Sequence, residues 1–345
     1  MSVTRASVPG ETTAMAIGTN TSRAYSAAHF ILELDHSEIA GFFRSVEGGG
    51  VKADVMTYNM GSNSDGWRQL GKPKYDDIKI QVGMSMSETF YDWIESFFAG
   101  KIVRKDGAIL AGDFHYKERA RREMFDVLIS EVSIPKFDAG DRSPCYLGVT
   151  LVPERVQFAP PTMRDLSPQV TASVQKLWTP NHFEFVISGF QEATRRTTKI
   201  ESFSIKQQIL EYRSGNQLNA VRVPGRIAFP NLTFFIPEAD SKPLVDRLTK
   251  RVIQGKPPEP TRIDGAITAT DGDGAPLCTV SLFGIDIASI GPDKSDSTSQ
   301  EIKQVKVDIT VERMSFQYAQ GAGEIGCPAG PARAPGRRPH LSSRD

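Results

Sequence analysis

Alternating apolar and polar residues predict a strand in the first half of the chain, with a helix directly after it. Ile78, Ile80 and Val82 alternate with polar residues, which is the period of a strand with one buried face. The helix is expected to begin after a capping serine, Ser85 or Ser87. Its apolar positions, spaced by three and four residues, are Phe90, Trp93, Ile94, Phe97 and Phe98. Burial of each contributes roughly 1.5–3 kcal/mol, so we expect this helix to lie on a sheet.

The same pattern recurs in the second half of the chain. The residues that take the places of Tyr75, Asp77, Ile78 and Ile80 are Phe229, Asn231, Leu232 and Phe234. A second helix is predicted to follow, and its apolar face is Leu244, Val245, Leu248, Val252 and Ile253. A Gly-Lys pair ends each predicted helix, at Gly100 and at Gly255.

Other landmarks repeat at a nearly constant spacing. They are pairs of like residues, namely His29 and His182, Tyr58 and Tyr212, Val127 and Val280, and Glu154 and Glu312. The spacings are 153, 154, 153 and 158 residues. A period of this length is too long for a solenoid and indicates a tandem duplication of one domain. The predicted segments are a flexible arm at 1–28, a first domain at 29–158, a proline-containing linker at 159–180, a second domain at 181–318 and a disordered Gly/Pro/Arg tail at 319–345.

Each copy is interpreted as antiparallel strands with one flanking amphipathic helix. The strands predicted in the first copy cover residues 30–34, 42–46, 51–58, 78–82, 114–123, 124–134 and 146–158. The many charges at 114–123 favour an exposed or edge strand. This layout predicts an α+β, mostly β fold with two small barrels or sandwiches in tandem.

A polar segment at 59–71 is predicted to be a loop, with a counterpart at 213–223. Loops of this length usually carry a function or a contact. Trp67 and Arg68 belong to the residue types that are enriched at interface hot spots. The candidate assembly residues are Asn59, Asn63, Asp65, Trp67, Arg68, Asn216 and Asn219. The alternative is a mobile surface loop in which Trp67 packs back on its own domain.

Composition narrows the class of protein. The chain has 41 basic and 41 acidic side chains, which argues against a dedicated nucleic-acid binder. Cys145, Cys278 and Cys327 are odd in number and widely spaced, which fits a reducing cytoplasm better than a disulfide framework. No apolar leader and no run of 18 apolar residues is found, so we predict neither a signal peptide nor a membrane span.

We predict no catalytic, cofactor-binding or metal-binding residue. Residues 321–326 match G-x-G-x-x-G but lie in the predicted tail with no helix after them. Residues 271–274 begin like a calcium loop but lack the later bidentate glutamate, so a hairpin turn is favoured. The five histidines show no metal-ligand spacing.

The first copy resembles the tail tube proteins of contractile-tailed phages, a fold shared with phage-like contractile injection systems and the type VI secretion tube. The residues that carry the resemblance are Gly71, Pro73, Lys74, Tyr75, Asp77, Ile78, Ile80, Phe90, Trp93, Ile94, Phe97 and Gly100. The resemblance covers residues 29–158 well and 181–318 more weakly. It implies a structural subunit without catalysis, whose rings of six domains stack and line a channel, with the segment at 59–71 reaching the neighbouring ring.

Two such domains in one chain depart from the family pattern of one domain per chain. A ring of six domains then needs three chains, a homotrimer with pseudo-sixfold symmetry. The implied partners are sheath, baseplate or spike proteins and a DNA or protein cargo, with no membrane. The implied location is a virion or phage-like particle, made in the bacterial cytoplasm. Two alternatives remain open: a tube initiator, adaptor or baseplate-hub component that matches threefold to sixfold symmetry, and a ligand-binding module built from a duplicated β-domain.

Overall fold

A computed structural model of the chain describes residues 29–35, 38–59, 66–166, 178–215, 219–256, 262–293 and 302–319. The predicted arm at 1–28 and all but the first residue of the predicted tail lie outside this part. The protein is mostly β, with two barrel-like sheets, so the predicted fold class is confirmed. The described part contains no helix that is both long and apolar enough to span a membrane.

Within the described residues, the first half contains ten strands and one helix. They are β1 (His29–Leu34), β2 (Glu38–Gly48), β3 (Val51–Asn59), β4 (Gly66–Tyr75), β5 (Ile78–Val82), α1 (Glu88–Phe98), β6 (Lys105–Gly112), β7 (Glu118–Ile134), β8 (Phe137–Asp138), β9 (Leu147–Val152) and β10 (Arg155–Ala159). Antiparallel pairing runs from β7 through β6, β1, β2, β5 and β9 and returns to β7, which closes a barrel. The β3–β4 hairpin forms a two-stranded sheet of its own.

The second half repeats this order with differences. Its elements are β11 (Phe183–Ile187), α2 (Gln191–Thr194), β12 (Lys199–Ile200), β13 (Phe203–Tyr212), β14 (Val221–Ala228), β15 (Leu232–Pro237), a 3₁₀ turn (Glu238–Asp240), α3 (Lys242–Leu248), a π-helical turn (Thr249–Ile253), β16 (Ile263–Thr270), β17 (Pro276–Pro292), β18 (Gln304–Thr310) and β19 (Arg313–Tyr318). Its main sheet runs β11-β16-β17-β18-β15-β12. No pairing joins β11 to β12 in the described residues, so this second sheet is not closed.

The helix predicted in the first half is present at α1. Trp93 and Phe97 are buried, and the indole Nε1 of Trp93 donates to the carbonyl of Val103 at 3.1 Å. Gly100 has a φ of +71°, and the amide of Lys101 donates to the carbonyl of Ser96 at 2.9 Å. This is a Schellman ending, which a glycine in the left-handed region permits without steric cost. Ser87 occupies the N-cap position, but its hydroxyl makes no capping hydrogen bond.

The helix predicted in the second half is only partly correct. Leu244 is buried, but Val252 and Ile253 are 66% and 77% exposed. After α3 the chain continues as a π-helical turn, in which the amide of Gln254 donates to the carbonyl of Thr249 at 3.0 Å. The wider turn rotates the last apolar residues off the 3.6-residue stripe. The prediction of one continuous buried face is therefore wrong at its C-terminal end, and also at Val245, which is 38% exposed.

Three other expectations need correction. The predicted loops at 59–71 and 213–223 are shorter, because β4 already begins at Gly66 and β14 at Val221. The charged segment at 114–123 is the predicted exposed or edge strand. From Glu118 onwards it belongs to β7, which has β6 on one side and β10 on the other. The strand register also changes the alignment of the two copies in β7 and β17. Gly107 pairs with Met124 in the first half, and Gly265 pairs with Leu282 in the second. The spacing in this strand is 158 residues rather than the 153 inferred from Val127 and Val280.

Candidate assembly surfaces

Strand pairing joins the two halves of the chain. The start of β13 pairs with the end of β7, with Phe203 opposite Ile134 and Ile205 opposite Val132. The hydroxyls of Ser133 and Ser204 are 2.7 Å apart across this pair. As a result β13 and β14 extend the sheet of the first half, although they belong to the second half of the sequence. The end of β7 that extends beyond its pairing with β6 is therefore covered by a hairpin from the second half.

The short strand β12 continues this contact. It pairs with β15 of its own half on one side and with β8 of the first half on the other. Ile200 lies opposite Phe137, and both side chains are buried. The rings of Phe137 and Phe183 lie 5.4 Å apart, so the contact reaches the core of the second half. The two halves share one hydrophobic core cluster at this junction.

An ionic cluster centred on Arg222 fixes the hairpin against the first half. The guanidinium of Arg222 donates to the carboxylate of Asp77 and to the carbonyl of Tyr75, each at 2.8 Å. The backbone amide of Arg222 donates to the carboxylate of Glu154 at 2.8 Å. Arg104 binds both Glu154 and the carbonyl of Arg222. Because Arg222 is only 8% exposed, these charge-assisted hydrogen bonds compensate the desolvation of its charge.

The apolar face of α1 is covered in part by the last strand, β19. The rings of Tyr91 and Tyr318 stack with centroids 3.8 Å apart, and those of Phe98 and Phe316 lie 5.7 Å apart. The backbone amide of Tyr318 donates to the carboxylate of Glu95 at 3.1 Å. Burial, followed by the neighbouring Tyr318, holds the pKa of Tyr91 well above its usual range, so its phenol stays neutral. The helix of the first half thus packs against the second half as well as its own sheet.

The predicted assembly residues are distributed unevenly. Trp67 is 69% exposed, so its ring does not pack back on its own domain as the alternative interpretation required. Arg68 is also exposed, on the same strand β4. Asn219 accepts a hydrogen bond from the Tyr75 hydroxyl at 3.3 Å, which places it in the junction between the halves. Asn59 is the last residue of β3, and Asn63, Asp65 and Asn216 lie outside the described residues.

The residues that resemble the family motif fall into two groups. Ile78, Ile80, Trp93, Phe97 and Leu232 are buried in the cores. Tyr75 and Asp77 instead bind the hairpin of the second half through Arg222. Gly71 and Pro73 lie in β4. The β3–β4 hairpin, which pairs with no other strand in the described residues, is called the free hairpin below. Phe229 and Asn231, the counterparts of Tyr75 and Asp77, lie just before β15, where Phe229 is half-buried and Asn231 exposed.

Sequence reasoning missed the central part of this junction. Arg222, Glu154 and Arg104 were not identified as contact residues. One signal was available, because Arg222 follows Arg68 by 154 residues, the spacing that separates Tyr58 from Tyr212. Aligning the copies therefore identifies an arginine that is exposed in one hairpin and buried in the other.

A second ionic cluster in the described residues resembles a catalytic pair of carboxylates. Glu33 and Glu118 are buried, but each faces arginines. Arg121 and Arg164 donate to Glu33 at 2.9 and 2.6 Å, and hydrogen bonding by Glu33 raises the pKa of Arg121 above its usual value. The hydroxyl of Thr162 donates to Glu118 at 2.5 Å. The charges compensate each other and tie the segment after β10 to the first barrel, which is a structural role.

The described residues offer little other chemistry. No group of three or more His, Cys, Asp or Glu side chains is placed there to hold a metal ion. The turn at 271–274 is a hairpin turn as predicted, because the carboxylate of Asp271 accepts from the amides of Asp273 and Ala275. Burial raises the pKa of the Cys278 thiol to about 12 and that of Cys145 to about 11, which makes both thiols poor nucleophiles.

Comparison with known proteins gives a family match for the first half of the chain. Residues 26–157 match the family model described as T4-like virus tail tube protein gp19. None of the curated proteins matches the chain.

The chain is also similar to solved structures of contractile injection systems. One is a sheath–tube complex of the extracellular contractile injection system PVC in its extended state, with 21% identity, 41% of this chain and 94% of that chain covered, and a TM-score of 0.36. Another is the tube-terminating cap of the anti-feeding prophage, with 22% identity, 39% and 89% covered, and a TM-score of 0.32. A third is the PVC sheath/tube terminator, with 20% identity, 40% and 99% covered, and a TM-score of 0.35. The family match therefore covers residues 26–157, which is less than half of the 345-residue chain.

Proposed function

We propose that this protein is a structural subunit of the inner tube of a phage tail or a phage-like contractile injection system, and that three chains form one ring of six domains. The family of the first half supports the tube role. The junction between the halves carries the rest of the proposal. Its hairpin-on-edge pairing is head-to-tail, because the two halves contribute different surfaces, and contacts of this kind generate rings when the rotation closes.

Mass measurement tests the stoichiometry directly. The chain has a mass of 37.9 kDa, and native mass spectrometry of purified assemblies should give a closed species of three chains. Electron microscopy of the same sample should show rings with six similar lobes. A closed ring of six chains would contradict the proposed stoichiometry, while a sample that never assembles at any concentration would contradict the tube role.

A tube initiator, adaptor or baseplate-hub component is the second candidate. It is favoured by the divergence of the two halves: the first sheet closes into a barrel and the second does not, and only the second helix ends in a π-helical turn. Two unlike halves give a ring threefold rather than sixfold symmetry, which suits a position between layers of different symmetry. Single rings that bind the end of a tube, in place of rods that grow by stacking, would distinguish this candidate.

The proposed partners follow from this role. Sheath, baseplate or spike proteins would contact the outside and the ends of the assembly, and DNA or a protein cargo would pass through its channel. We propose no catalytic step, no cofactor and no membrane contact. The assembly would be made in the bacterial cytoplasm and become part of a virion or phage-like particle.

A further inference from the structure

The two hairpins of the chain share one strand register. In the docked hairpin β13–β14, Glu211 pairs with Arg222. In the free hairpin β3–β4, Thr57 pairs with Arg68, and each of these residues lies 154 positions before its counterpart. Both hairpins also carry a bulge at the equivalent place. The free hairpin therefore has the backbone pattern that docks on β7 inside the chain.

The second half offers an edge that corresponds to the docking site on β7. Register relates Met124 to Leu282, so the docking residues 131–134 of β7 correspond to 289–292 of β17. Residues 289–292 pair with β18 on one side. Their other side has no partner strand within the described ranges. An unpaired strand edge is a template for pairing with another chain.

The charged groups beside this edge are duplicated as well. Arg262 and Glu312 follow Arg104 and Glu154 by 158 residues each. They form an ion pair at 3.6 Å, with side chains 75% and 59% exposed. The side chains of Arg104 and Glu154 are 30% and 15% exposed, because the docked hairpin covers them. The second pair is thus the same ionic site without its hairpin.

Arg68 holds the place in the free hairpin that Arg222 holds in the docked hairpin, and it could bind the exposed pair of Arg262 and Glu312. Arg222 presents its backbone amide and carbonyl to Glu154 and Arg104, and Arg68 would present the same groups to Glu312 and Arg262. The guanidinium of Arg222 reaches the carbonyl of Tyr75 and the side chain of Asp77. The corresponding acceptors in the second half are the carbonyl of Phe229 and the amide oxygen of Asn231, which lies before β15 and is exposed.

An apolar contact between the two halves also has its counterpart residues elsewhere in the chain. Inside the chain, Phe98 at the end of α1 packs on Phe316 of β19. Phe158 of β10 precedes Phe316 by 158 residues and is 63% exposed. Ile253 follows Phe98 by 155 residues, the spacing of Gly100 and Gly255, and it too is exposed. Phe158 and Ile253 are therefore exposed, whereas their counterparts Phe316 and Phe98 are buried against each other.

From these four correspondences we propose that a second copy of this chain docks its β3–β4 hairpin and β10 on the free edge of β17 and on the helix of the second half. This contact repeats between chains the junction found within one chain, and it rests on the proposed function in that a tube subunit must join copies of itself. Two surfaces are defined by it. The hairpin surface is Val51, Val55, Trp67, Arg68, Leu70 and Phe158, and the edge surface is residues 289–292 with Val252, Ile253, Arg262 and Glu312.

Engineered disulfides test the register of this contact. Ile205 lies opposite Val132 inside the chain, so Val51 of one copy should lie opposite Ile290 of the next. A Val51→Cys chain mixed with an Ile290→Cys chain, both in a Cys327→Ser background, should give disulfide-linked dimers on mild oxidation. The buried Cys145 and Cys278 stay unreactive. An Ala288→Cys chain is the matched control, because diagonal cross-strand neighbours lie about 7–8 Å apart, too far for a disulfide.

Substitutions on the edge surface test its apolar part. Ile253→Asp should slow formation of the 51–290 disulfide by about tenfold or more, as expected for an interface hot spot. Phe114→Asp removes an equally exposed apolar side chain that lies outside both surfaces and should leave the rate unchanged. Circular dichroism and thermal melts of both variants establish that each remains folded. Equal rates for the two variants would overturn the helix part of the contact.

The outcomes separate this interface from the tube function. Rings seen by electron microscopy without a 51–290 disulfide would overturn the interface and leave the tube function standing. Disulfide-linked chains that form only open oligomers, never rings or rods, would support the interface and overturn the tube function. A chain with both cysteines that yields a covalently closed trimer would support both.

Discussion

The two hairpins differ in environment more than in sequence pattern. Ile205 of the docked hairpin is fully buried, while Val51, its counterpart in the free hairpin, is 44% exposed. Arg222 makes charge-assisted hydrogen bonds to three groups of the first half, while Arg68 is exposed. The same local structure is therefore part of a core in one copy and part of the surface in the other. Apolar side chains on a free, well-formed hairpin indicate a contact surface that folding of one chain leaves uncovered.

The helices show the same contrast. In α1 the apolar face meets both its own sheet and β19 of the other half, and its aromatic side chains are buried. Within the described residues the second helix has no such cover, and its last apolar residues, Val252 and Ile253, are exposed. Within one chain, therefore, the hairpin of the second half and the helix of the first half are covered, whereas the hairpin of the first half and the end of the second helix are exposed. The following predictions measure that difference, from the largest expected effect to the smallest.

Truncation of the helix core should have the largest effect. Trp93→Ala removes a buried indole and its hydrogen bond to Val103, and should lower the free energy of unfolding by about 3–5 kcal/mol. Leu248, the counterpart 155 residues later, is only partly buried. Leu248→Ala should therefore cost clearly less. Chemical denaturation of both variants checks this, and equal losses would show that the two helices are equally buried.

The docked and free strands can be compared in the same way. Ile205→Ala removes a fully buried side chain at the junction and should cost about 2–5 kcal/mol. Val51→Ala, at the matched position of the free hairpin, should change the stability of the isolated chain by no more than about 0.5 kcal/mol. Thermal melts at low protein concentration give both values. A large loss for Val51→Ala in a monomer would mean that β3 is already covered within its own chain.

Particular residues show how far the sequence predicts this structure. The strand at Ile78–Val82 and the aromatic stripe of α1 are read correctly because burial and periodicity are local signals. The segment at 114–123 is misjudged because its Arg121 is partnered by Glu33, which is distant in sequence. The swap of β13 onto β7 has no signature in either strand alone, since edge pairing depends on which edge lies nearby. The second helix fails where a π-helical turn replaces the 3.6-residue period.

The ionic cluster gives the next smaller effect. Arg222→Ala leaves Asp77 and the carbonyl of Tyr75 without their donor and should cost about 1.5–3 kcal/mol, the range for hydrogen bonds to charged groups. Arg68→Ala is the matched control and should leave the isolated chain within about 0.5 kcal/mol of the original stability. Urea unfolding curves decide between them. Stability unchanged by Arg222→Ala would remove this cluster from the account of how the halves are joined.

The effect that is smallest at neutral pH is loss of stability through Cys278, which appears only in alkali; this residue pairs with Tyr318 beneath the contact between α1 and β19. Burial raises the pKa of this thiol from 9.0 to about 12. Above pH 9 the unfolded chain therefore releases a proton that the folded chain retains, and stability falls as the pH rises from 9 towards 12. Cys278→Ala should flatten this part of the pH profile of unfolding. The raised pKa of Tyr91 acts in the same direction, so a residual slope should persist in the variant. An identical slope with and without the thiol would show that Cys278 ionises as freely in the folded chain as in the unfolded one, and hence that the contact of the second half with α1 is open to solvent.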